Sequence, residues 1–308
     1  MNVLLVAEES AGIQVLRALA ASPHRLVAAM TAPPTRGGGA TVGGVADTLG
    51  VPVLPSERVR EAATAEWIRA EGVDLLLNVH SLYLIAGEVV AAPRIGSFNL
   101  HPGPLPEYAG LNTPSWAIYN GEPRHGVTVH WMDPEVDTGP IAYSAMFDLT
   151  ESDTGLSVSA RCVREGVPLV ERLLEVAAKD PTSIPAEPQD LSKRHYYKRS
   201  EIPDEGRILW SRPAARIVGL VRACDYLPFP SPWGLATARL GEREVSVLKA
   251  ARTGEPARAP QGTIGEAADG KIRVAAGDEW VLVERVQLDG RTGPAADILH
   301  PGSTLSDG

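Results

Sequence analysis

Two side chains that could stabilise a developing charge and transfer a proton, Asn99 and His101, lie two residues apart in the segment Gly-Ser-Phe-Asn-Leu-His-Pro, which begins at Gly96. A short apolar strand ends in this segment, and residues two apart on a strand project from the same face. A second strand, from Val127 to Met132, leads into a loop that carries Asp137. An amide donor, an imidazole and a carboxylate, each at or just after a strand end, can stabilise an oxyanion, transfer a proton and orient the imidazole.

The chain before this segment alternates predicted strands with helices. Residues 2–8 contain a continuous apolar run from Val3 to Ala7, which is typical of a strand buried on both faces of a parallel sheet, and further strands are predicted at 26–30, 51–54 and 73–79. This alternation predicts an α/β fold with a Rossmann-like, mostly parallel sheet, in which ligands bind beyond the carboxyl ends of the strands. The sequence lacks the Gly-x-Gly-x-x-Gly turn of nucleotide-binding members of that fold class, and we interpret the Gly37-Gly38-Gly39 run as a loop tip.

The composition changes after a long predicted helix at 154–178. Prolines punctuate a polar stretch that leads to a basic cluster at 193–199, which is typical either of phosphate contact or of a solvated linker. From residue 206, a helix and then short strands separated by Gly- and Asp-containing turns predict a small β-rich domain resembling an OB-like barrel. We therefore expect a catalytic domain at 1–190, a linker at 191–205, a β-rich domain at 206–302 and a disordered tail at 303–308.

Charge and composition narrow the classes of partner. The 308 residues carry a formal net charge of −9, which disfavours a large nucleic-acid partner. The cysteines, Cys162 and Cys224, lie in apolar contexts without metal-ligand spacing, so we expect reduced thiols and no metal. The sequence shows no basic leader and no apolar run long enough for a membrane span, which favours a cytoplasmic protein without a membrane partner.

The motifs around the first three residues form a recognisable combination. Asn-x-His-Pro, then Leu-Pro with Tyr-x-Gly, then a strand and Val-Asp-Thr-Gly-Pro-Ile, resembles the signature of the formyltransferases that use 10-formyltetrahydrofolate. The resemblance spans most of residues 1–150 and implies that Asn99, His101 and Asp137 are catalytic. In formyl transfer to an amine through a tetrahedral intermediate, Asn99 and His101 would donate to the oxyanion. Asp137 would orient the imidazole, raise its pKa and accept the amine proton.

The resemblance also implies contacts for the folate co-substrate. In that family, the segment after the fourth strand wraps the pterin, and the loop before the catalytic aspartate forms the opposite wall. The matching positions in this chain are Leu82, Tyr83, Leu84, Ile85, Met132, Asp133, Glu135 and Val136. We expect the acceptor to bind near Glu9, Ser10, Tyr108 and Asn112.

Two differences between this sequence and the family members that act on tRNA limit the range of possible acceptors. Those members carry a long basic loop after the second strand, whereas residues 32–39 hold a single charge here, and their common Tyr-Arg-Gly is Tyr108-Ala109-Gly110. The sequence around these motifs looks most similar to formylation domains of natural-product assembly lines. This similarity favours a small amino-acid-derived amine as the acceptor, primary or hydroxylated, free or carrier-bound. A nucleotide-linked amino sugar is the second alternative and initiator tRNA the third. A hydrolase releasing formate, a folate-binding protein without activity, and a homodimer also stay open.

Overall fold

The computed structural model describes residues 1–33 and 40–308, which form two compact units. Unit 1 comprises Met1–Gly110, Gly126–Phe147 and Ala160–Tyr196, and unit 2 comprises Leu111–His125, Asp148–Ser159 and Tyr197–Gly308. The predicted division near residue 190 therefore differs from the structure, where two segments from the first half of the chain belong to unit 2. The Gly37-Gly38-Gly39 loop tip lies outside the described residues.

Unit 1 is built on a seven-stranded sheet. The strands of the first half of the chain, of which β6 stands outside this sheet, are β1 (Asn2–Ala7), β2 (Arg25–Thr31), β3 (Val53–Pro55), β4 (Leu75–Val79), β5 (Gly96–His101), β6 (Ala109–Gly110), β7 (Arg124–Trp131) and β8 (Ile141–Asp148). Their order in the sheet is β3-β2-β1-β4-β5-β7-β8, with the first five mutually parallel and β7 antiparallel to β5. The predicted Rossmann-like, mostly parallel sheet is confirmed.

Helices lie between many of the strands along the chain. They are α1 (Glu9–Ala21), α2 (Val42–Thr48), α3 (Ala62–Ala70), α4 (Gly87–Val90), α5 (Thr113–Asn120), α6 (Gly155–Lys179) and α7 (Ala214–Cys224). In α1, Ile13 and Leu16 are buried while Gln14 and Arg17 are exposed, as the helical period requires. A Cβ at Gly12 would lie 2.8 Å from the Cβ of Ala7, so this glycine allows α1 to approach β1 closely.

Unit 2 contains α5, α7 and an antiparallel sheet. The strands of the second half of the chain, of which β9 precedes this sheet, are β9 (Tyr196–Tyr197), β10 (Ala236–Leu240), β11 (Arg243–Pro256), β12 (Ile264–Ala268), β13 (Lys271–Ala275), β14 (Glu279–Leu288), β15 (Arg291–Pro294) and β16 (Ser306–Asp307). The sheet runs in the order β12-β13-β14-β11-β10-β16, with β15 paired to β14. This half-barrel confirms the prediction that a β-rich fold follows the Rossmann-like one along the chain.

The predicted disorder of residues 303–308 is wrong. Ser306 and Asp307 form β16 against β10, and the Asp307 carboxylate accepts a hydrogen bond from the Trp210 N–H at 2.8 Å. Leu305 is 1% exposed, and its N–H donates to the carbonyl of Gly262. Burial of this leucine together with backbone hydrogen bonds on both sides holds the segment in place.

Candidate active site

A row of polar side chains crosses three neighbouring strands of the unit 1 sheet. The register places Asn99 of β5 opposite Asn78 of β4 and opposite His130 of β7, while His101 is the last residue of β5. The Asn78 side-chain amide donates to Asn99 Oδ1 at 2.9 Å. The sheet itself therefore sets the position and the orientation of the Asn99 carboxamide.

Asp137 brings its carboxylate against this row from the loop between β7 and β8. Its Oδ2 accepts from the Gly110 N–H at 2.8 Å and lies 3.6 Å from His101 Nδ1. Its Oδ1 accepts from Asn99 Nδ2 at 3.3 Å and lies 3.4 Å from His130 Nε2. The structure thus brings the three predicted catalytic side chains together in one cluster.

Asp137 is also unusual in its backbone and its burial. The residue has a φ of 56°, which is uncommon for a residue other than glycine, and it is 7% exposed. Burial by itself raises the pKa of the carboxyl group, but His101, His130 and the Gly110 N–H together outweigh it and hold the pKa well below its usual range. The carboxylate is therefore ionised at neutral pH.

The protonation of His101 follows from its hydrogen-bond partner. Its Nε2 lies 2.6 Å from the carbonyl oxygen of Tyr108, and a carbonyl can only accept, so we assign the proton to Nε2. In the neutral ring, the unprotonated Nδ1 then faces Asp137. Burial lowers the pKa of His101, and the opposing effects of Asp137 and the Tyr108 carbonyl do not cancel it. Asp137 does raise the pKa of His101, as expected, but the net shift is downward because desolvation of the buried ring has the larger effect.

His130 belongs to the same cluster, although the sequence reasoning missed it. Its Nδ1 lies 2.7 Å from the Trp131 carbonyl, which assigns the proton to Nδ1, and its Nε2 accepts from Asn99 Nδ2 at 3.1 Å. The two amide hydrogens of Asn99 are thus directed at His130 and at Asp137. Donation to a substrate oxygen requires Asn99 to release one of these two partners.

The residues predicted to contact folate separate into two groups. Leu82 and Leu84, in the loop after β4, are 50% and 74% exposed. Tyr83 and Ile85 instead pack against the buried cluster between the sheet and its helices, and Met132 packs against the same cluster. The loop therefore presents two apolar side chains to solvent and is anchored by the residues between them.

The remaining predicted wall residues belong to the loop that carries Asp137. Asp133 and Glu135 are exposed, and the Glu135 carbonyl accepts from the Thr138 hydroxyl at 3.1 Å. Val136 is half-buried, and its carbonyl accepts from Arg194. These contacts indicate that the backbone of this loop is held from several sides.

The residues predicted for the acceptor side are placed differently from one another. Glu9 is exposed and its Oε2 lies 3.2 Å from His80 Nδ1, a hydrogen bond that lowers the pKa of the carboxyl group. Ser10 is exposed beside it. Tyr108 is only 7% exposed, and its backbone carbonyl accepts the hydrogen bond from His101 Nε2. Asn112 belongs to unit 2, where it precedes α5 in a left-handed conformation.

The described residues do not meet the requirements of a metal site, a reactive thiol or a membrane-spanning helix. Across residues 1–33 and 40–308, no group of three His, Cys, Asp or Glu side chains is arranged to hold a metal ion. Cys162 and Cys224 are both buried and unbridged, and burial raises the pKa of Cys224 to about 12. Over the same ranges, no helix combines the length and the apolar character needed to cross a membrane.

Comparison with known proteins gives matches in both halves of the chain. The family model described as Formyl transferase matches residues 2–173, and the one described as Formyl transferase, C-terminal domain, matches residues 202–300. Methionyl-tRNA formyltransferase of Pseudomonas fluorescens (strain SBW25) is 33% identical over 281 residues, which cover 89% of this chain and 85% of the relative. The same enzyme of Anaeromyxobacter sp. (strain K) is 33% identical over 82% of this chain and 79% of the relative.

Solved structures share the fold at much lower identity. An N-formyltransferase from Helicobacter canadensis, in complex with folinic acid and dTDP-3-aminofucose, has a TM-score of 0.69 at 16% identity, covering 91% of this chain and 97% of that chain. A sugar 3N-formyltransferase, WlaRD, solved with dTDP and 5-N-formyl-THF, has a TM-score of 0.70 at 14% identity, covering 94% and 98%.

Proposed function

This chain belongs to the formyltransferase family, and from that premise we propose that it transfers the formyl group of 10-formyltetrahydrofolate to the amine of a small amino-acid-derived acceptor. One observation carries the proposal. The buried, ionised Asp137 carboxylate is surrounded by the Asn99 amide and by two imidazoles, those of His101 and His130. Such a cluster can accept a proton from an attacking amine and can stabilise negative charge on a carbonyl oxygen.

As part of this proposal, we assign the folate co-substrate to the exposed loop after β4 in unit 1. In the loop after β4, the exposed Leu82 and Leu84 offer apolar surface against which a flat heterocycle can bind. Strand β4 lies next to β5, which carries Asn99. The two solved neighbours described above were crystallised with folate compounds, which supports the same class of co-substrate for this chain. When bound, the folate supplies the formyl group.

Proton transfer is assigned to His101 and Asp137 together. The acceptor amine must lose a proton as it attacks, and the unprotonated Nδ1 of neutral His101 can accept it. The resulting imidazolium is stabilised by the Asp137 carboxylate, whose Oδ2 lies 3.6 Å away. His101 then returns the proton to the departing nitrogen. In this account Asp137 remains ionised, because its low pKa makes it a weak base.

Charge stabilisation is assigned to Asn99. Its two amide hydrogens lie on His130 and Asp137 in the absence of substrate. As Asp137 engages the newly formed imidazolium, one Asn99 hydrogen becomes available to the developing oxyanion. A single donor of this kind typically contributes about 3–4 kcal/mol to transition-state stabilisation.

The preference for a small acceptor rests on the distribution of positive charge. The basic cluster at 193–199 is the concentrated cationic stretch of the sequence, yet Arg194 donates to the Val136 carbonyl and Lys193 pairs with Asp190 at 3.5 Å. Residues 32–39 contain one arginine, and the net charge is −9. This distribution provides little of the positive surface that a nucleic-acid backbone requires.

Methionyl-tRNA, which the sequence alone places behind a nucleotide-linked amino sugar, becomes the second candidate acceptor because the chain is similar to methionyl-tRNA formyltransferases. Both candidates present a nucleophilic amine, so the chemistry of the cluster does not distinguish them. The acceptor preference is therefore a question of recognition, which the experiment must address directly.

The test supplies 10-formyltetrahydrofolate with one acceptor at a time. The acceptors are amino acids with free or hydroxylated side-chain amines, the same groups on a carrier protein, a nucleotide-linked amino sugar, and methionyl-tRNA at low and at physiological salt. We expect formylated product from an amino-acid amine, and loss of any methionyl-tRNA reaction as the salt concentration rises. Efficient formylation of methionyl-tRNA at physiological salt would overturn the small-acceptor proposal. Formate release without any amine would indicate a hydrolase, and folate binding without turnover would indicate a non-catalytic protein.

A further inference from the structure

The polar stretch after α6 runs back along the Asp137 loop within unit 1. We call residues 185–195 the return segment. The Trp131 indole N–H donates to the Pro185 carbonyl at 2.8 Å, and Glu187 exchanges two backbone hydrogen bonds with Ile141, at 2.8 and 3.0 Å. The return segment is therefore fixed both to the last residue of β7 and to the first residue of β8, on either side of Asp137.

Two side chains of the return segment hold the loop backbone directly. Gln189 Nε2 donates to the Asp137 carbonyl at 3.1 Å and to the Gly139 carbonyl at 2.6 Å. Arg194 Nη2 donates to the Val136 carbonyl at 2.9 Å, and its guanidinium lies 4.9 Å from the centre of the Tyr196 ring. Three backbone carbonyls of one short loop are thus bound by the side chains of two residues that the sequence placed near a linker.

Both residues are half-buried. The Gln189 Oε1 and the Arg194 Nε are buried and have no hydrogen-bond partner among the described residues. Leaving a buried polar atom without a partner costs free energy. The arrangement therefore favours the loop contacts of Gln189 and Arg194 over full pairing of their own side chains.

The return segment also positions the backbone donor on the opposite side of the carboxylate. The His195 carbonyl accepts from the Ala109 N–H at 3.0 Å, and the N–H of the next residue, Gly110, donates to Asp137 Oδ2 at 2.8 Å. One continuous stretch thus holds both the loop that carries the carboxylate and the strand that binds it.

The loop needs such support because its backbone is tight. Asp137 adopts a left-handed conformation, and a Cβ placed on Gly139 would overlap the Trp131 carbonyl oxygen. A non-glycine residue in this conformation persists only where its surroundings fix it.

We propose that Gln189 and Arg194 are positioning residues for formyl transfer, which hold the Asp137 loop so that its carboxylate lies between His101, His130 and the Gly110 N–H. This inference rests on the proposed function. When the loop is released, the carboxylate moves away from the two imidazoles, and the imidazolium formed during transfer loses its counter-charge. The pKa of Asp137 then rises, because His101 on β5, His130 on β7 and the Gly110 N–H hold it low.

Kinetics of matched variants test the proposal. Gln189→Met keeps the length of the side chain and removes both donors, while Arg194→Lys keeps a charged donor that Arg194→Met lacks. Lys193→Met is the control, because Lys193 lies in the same segment and pairs with exposed Asp190. We expect Gln189→Met to lower kcat at least roughly tenfold with little change in KM for the folate, and Arg194→Lys to retain more of kcat than Arg194→Met. The acid limb of the pH–rate profile, which reports protonation of the His101 base, should move to lower pH in Gln189→Met, because the imidazolium has lost its counter-charge, and should stay unchanged in the control.

A second measurement separates positioning from general stability and does not depend on turnover. The imidazole nitrogen signals of His101 are titrated by NMR in folate-free wild type and in Gln189→Met, and melting temperatures are recorded for each variant. A changed titration of this ring supports the proposal, including when the wild type formylates none of the amines tested. A lower melting temperature with wild-type kcat, pH profile and imidazole titration would overturn it, because the two residues would then serve the fold alone.

Discussion

Replacing Asp137 with asparagine keeps the shape of the side chain and removes its charge. The carboxylate accepts from the Gly110 N–H with one oxygen and from the Asn99 amide with the other. Asparagine retains only one acceptor oxygen, so its amide group must face one of these two donors. The substitution therefore removes the counter-charge of His101 and breaks one side of the hydrogen-bond cluster.

The size of the effect follows from the distance between the two groups. A carboxylate and an imidazolium 3.6 Å apart attract by about 5 kcal/mol at an effective dielectric constant of about 20. Reorientation of nearby dipoles recovers part of this energy, so we expect a loss of about 3 kcal/mol in the transition state, or roughly 150-fold in kcat. KM for the folate should change little, because Leu82 and Leu84 are untouched.

Single-turnover rates of formyl transfer check this expectation directly. Glu107→Gln is the matched control, since it removes an exposed carboxylate from the loop that follows β5 in the same unit. We expect this control to react at the wild-type rate. An Asp137→Asn variant that retains more than about a third of the wild-type rate would refute the assignment of the counter-charge role, because the Coulomb argument requires a far larger loss.

Three further predictions concern the same unit. Asn99→Asp places a second carboxylate where Asn99 now donates to Asp137 at 3.3 Å, so kcat should fall roughly 100-fold and the melting temperature should drop by a few degrees; rate assays and thermal unfolding measure both. The pKa of His101 is lower in the folded than in the unfolded chain, so below pH ~6.5 the unfolded chain binds a proton that the folded chain does not. The free energy of unfolding should therefore be retained above that pH and decrease as the pH falls toward the folded pKa, and urea titrations should show a shallower decrease in His101→Gln. Gly12→Ala introduces a Cβ 2.8 Å from that of Ala7, and we expect a loss of about 1–3 kcal/mol in unfolding free energy with kcat unchanged.

Much of the fold could be predicted because its strands carry local signals. Val3 to Ala7 and Leu75 to Leu77 are buried apolar runs, which distinguish a central parallel strand from an amphipathic one. Asn99 and His101 could be paired because both belong to one strand end. Their approach to Asp137 followed from the edge of the sheet at which strand ends and loops meet.

The rest depended on tertiary structure. His130 lies opposite Asn99 only because β7 runs antiparallel to β5 in one particular register, and no local pattern specifies that register. The direction of the His101 pKa depended on complete burial, which outweighs a neighbouring carboxylate. No sequence feature predicted that Gln189 and Arg194 hold the Asp137 loop. A polar stretch that supports a loop has the same composition as a polar linker.

The short strand β16 has a consequence for self-association. Ser306 pairs with Arg239 on β10, while the Ser303 carbonyl accepts from the N–H of Ile264 at the start of β12. The same few residues thus cap both outer strands of the antiparallel sheet, whose unpaired backbone groups would otherwise be a template for strands of other molecules. Removal of residues 303–308 would leave backbone groups unpaired at the edges of β10 and β12. We expect the shortened protein to form concentration-dependent aggregates even where its catalytic cluster is intact.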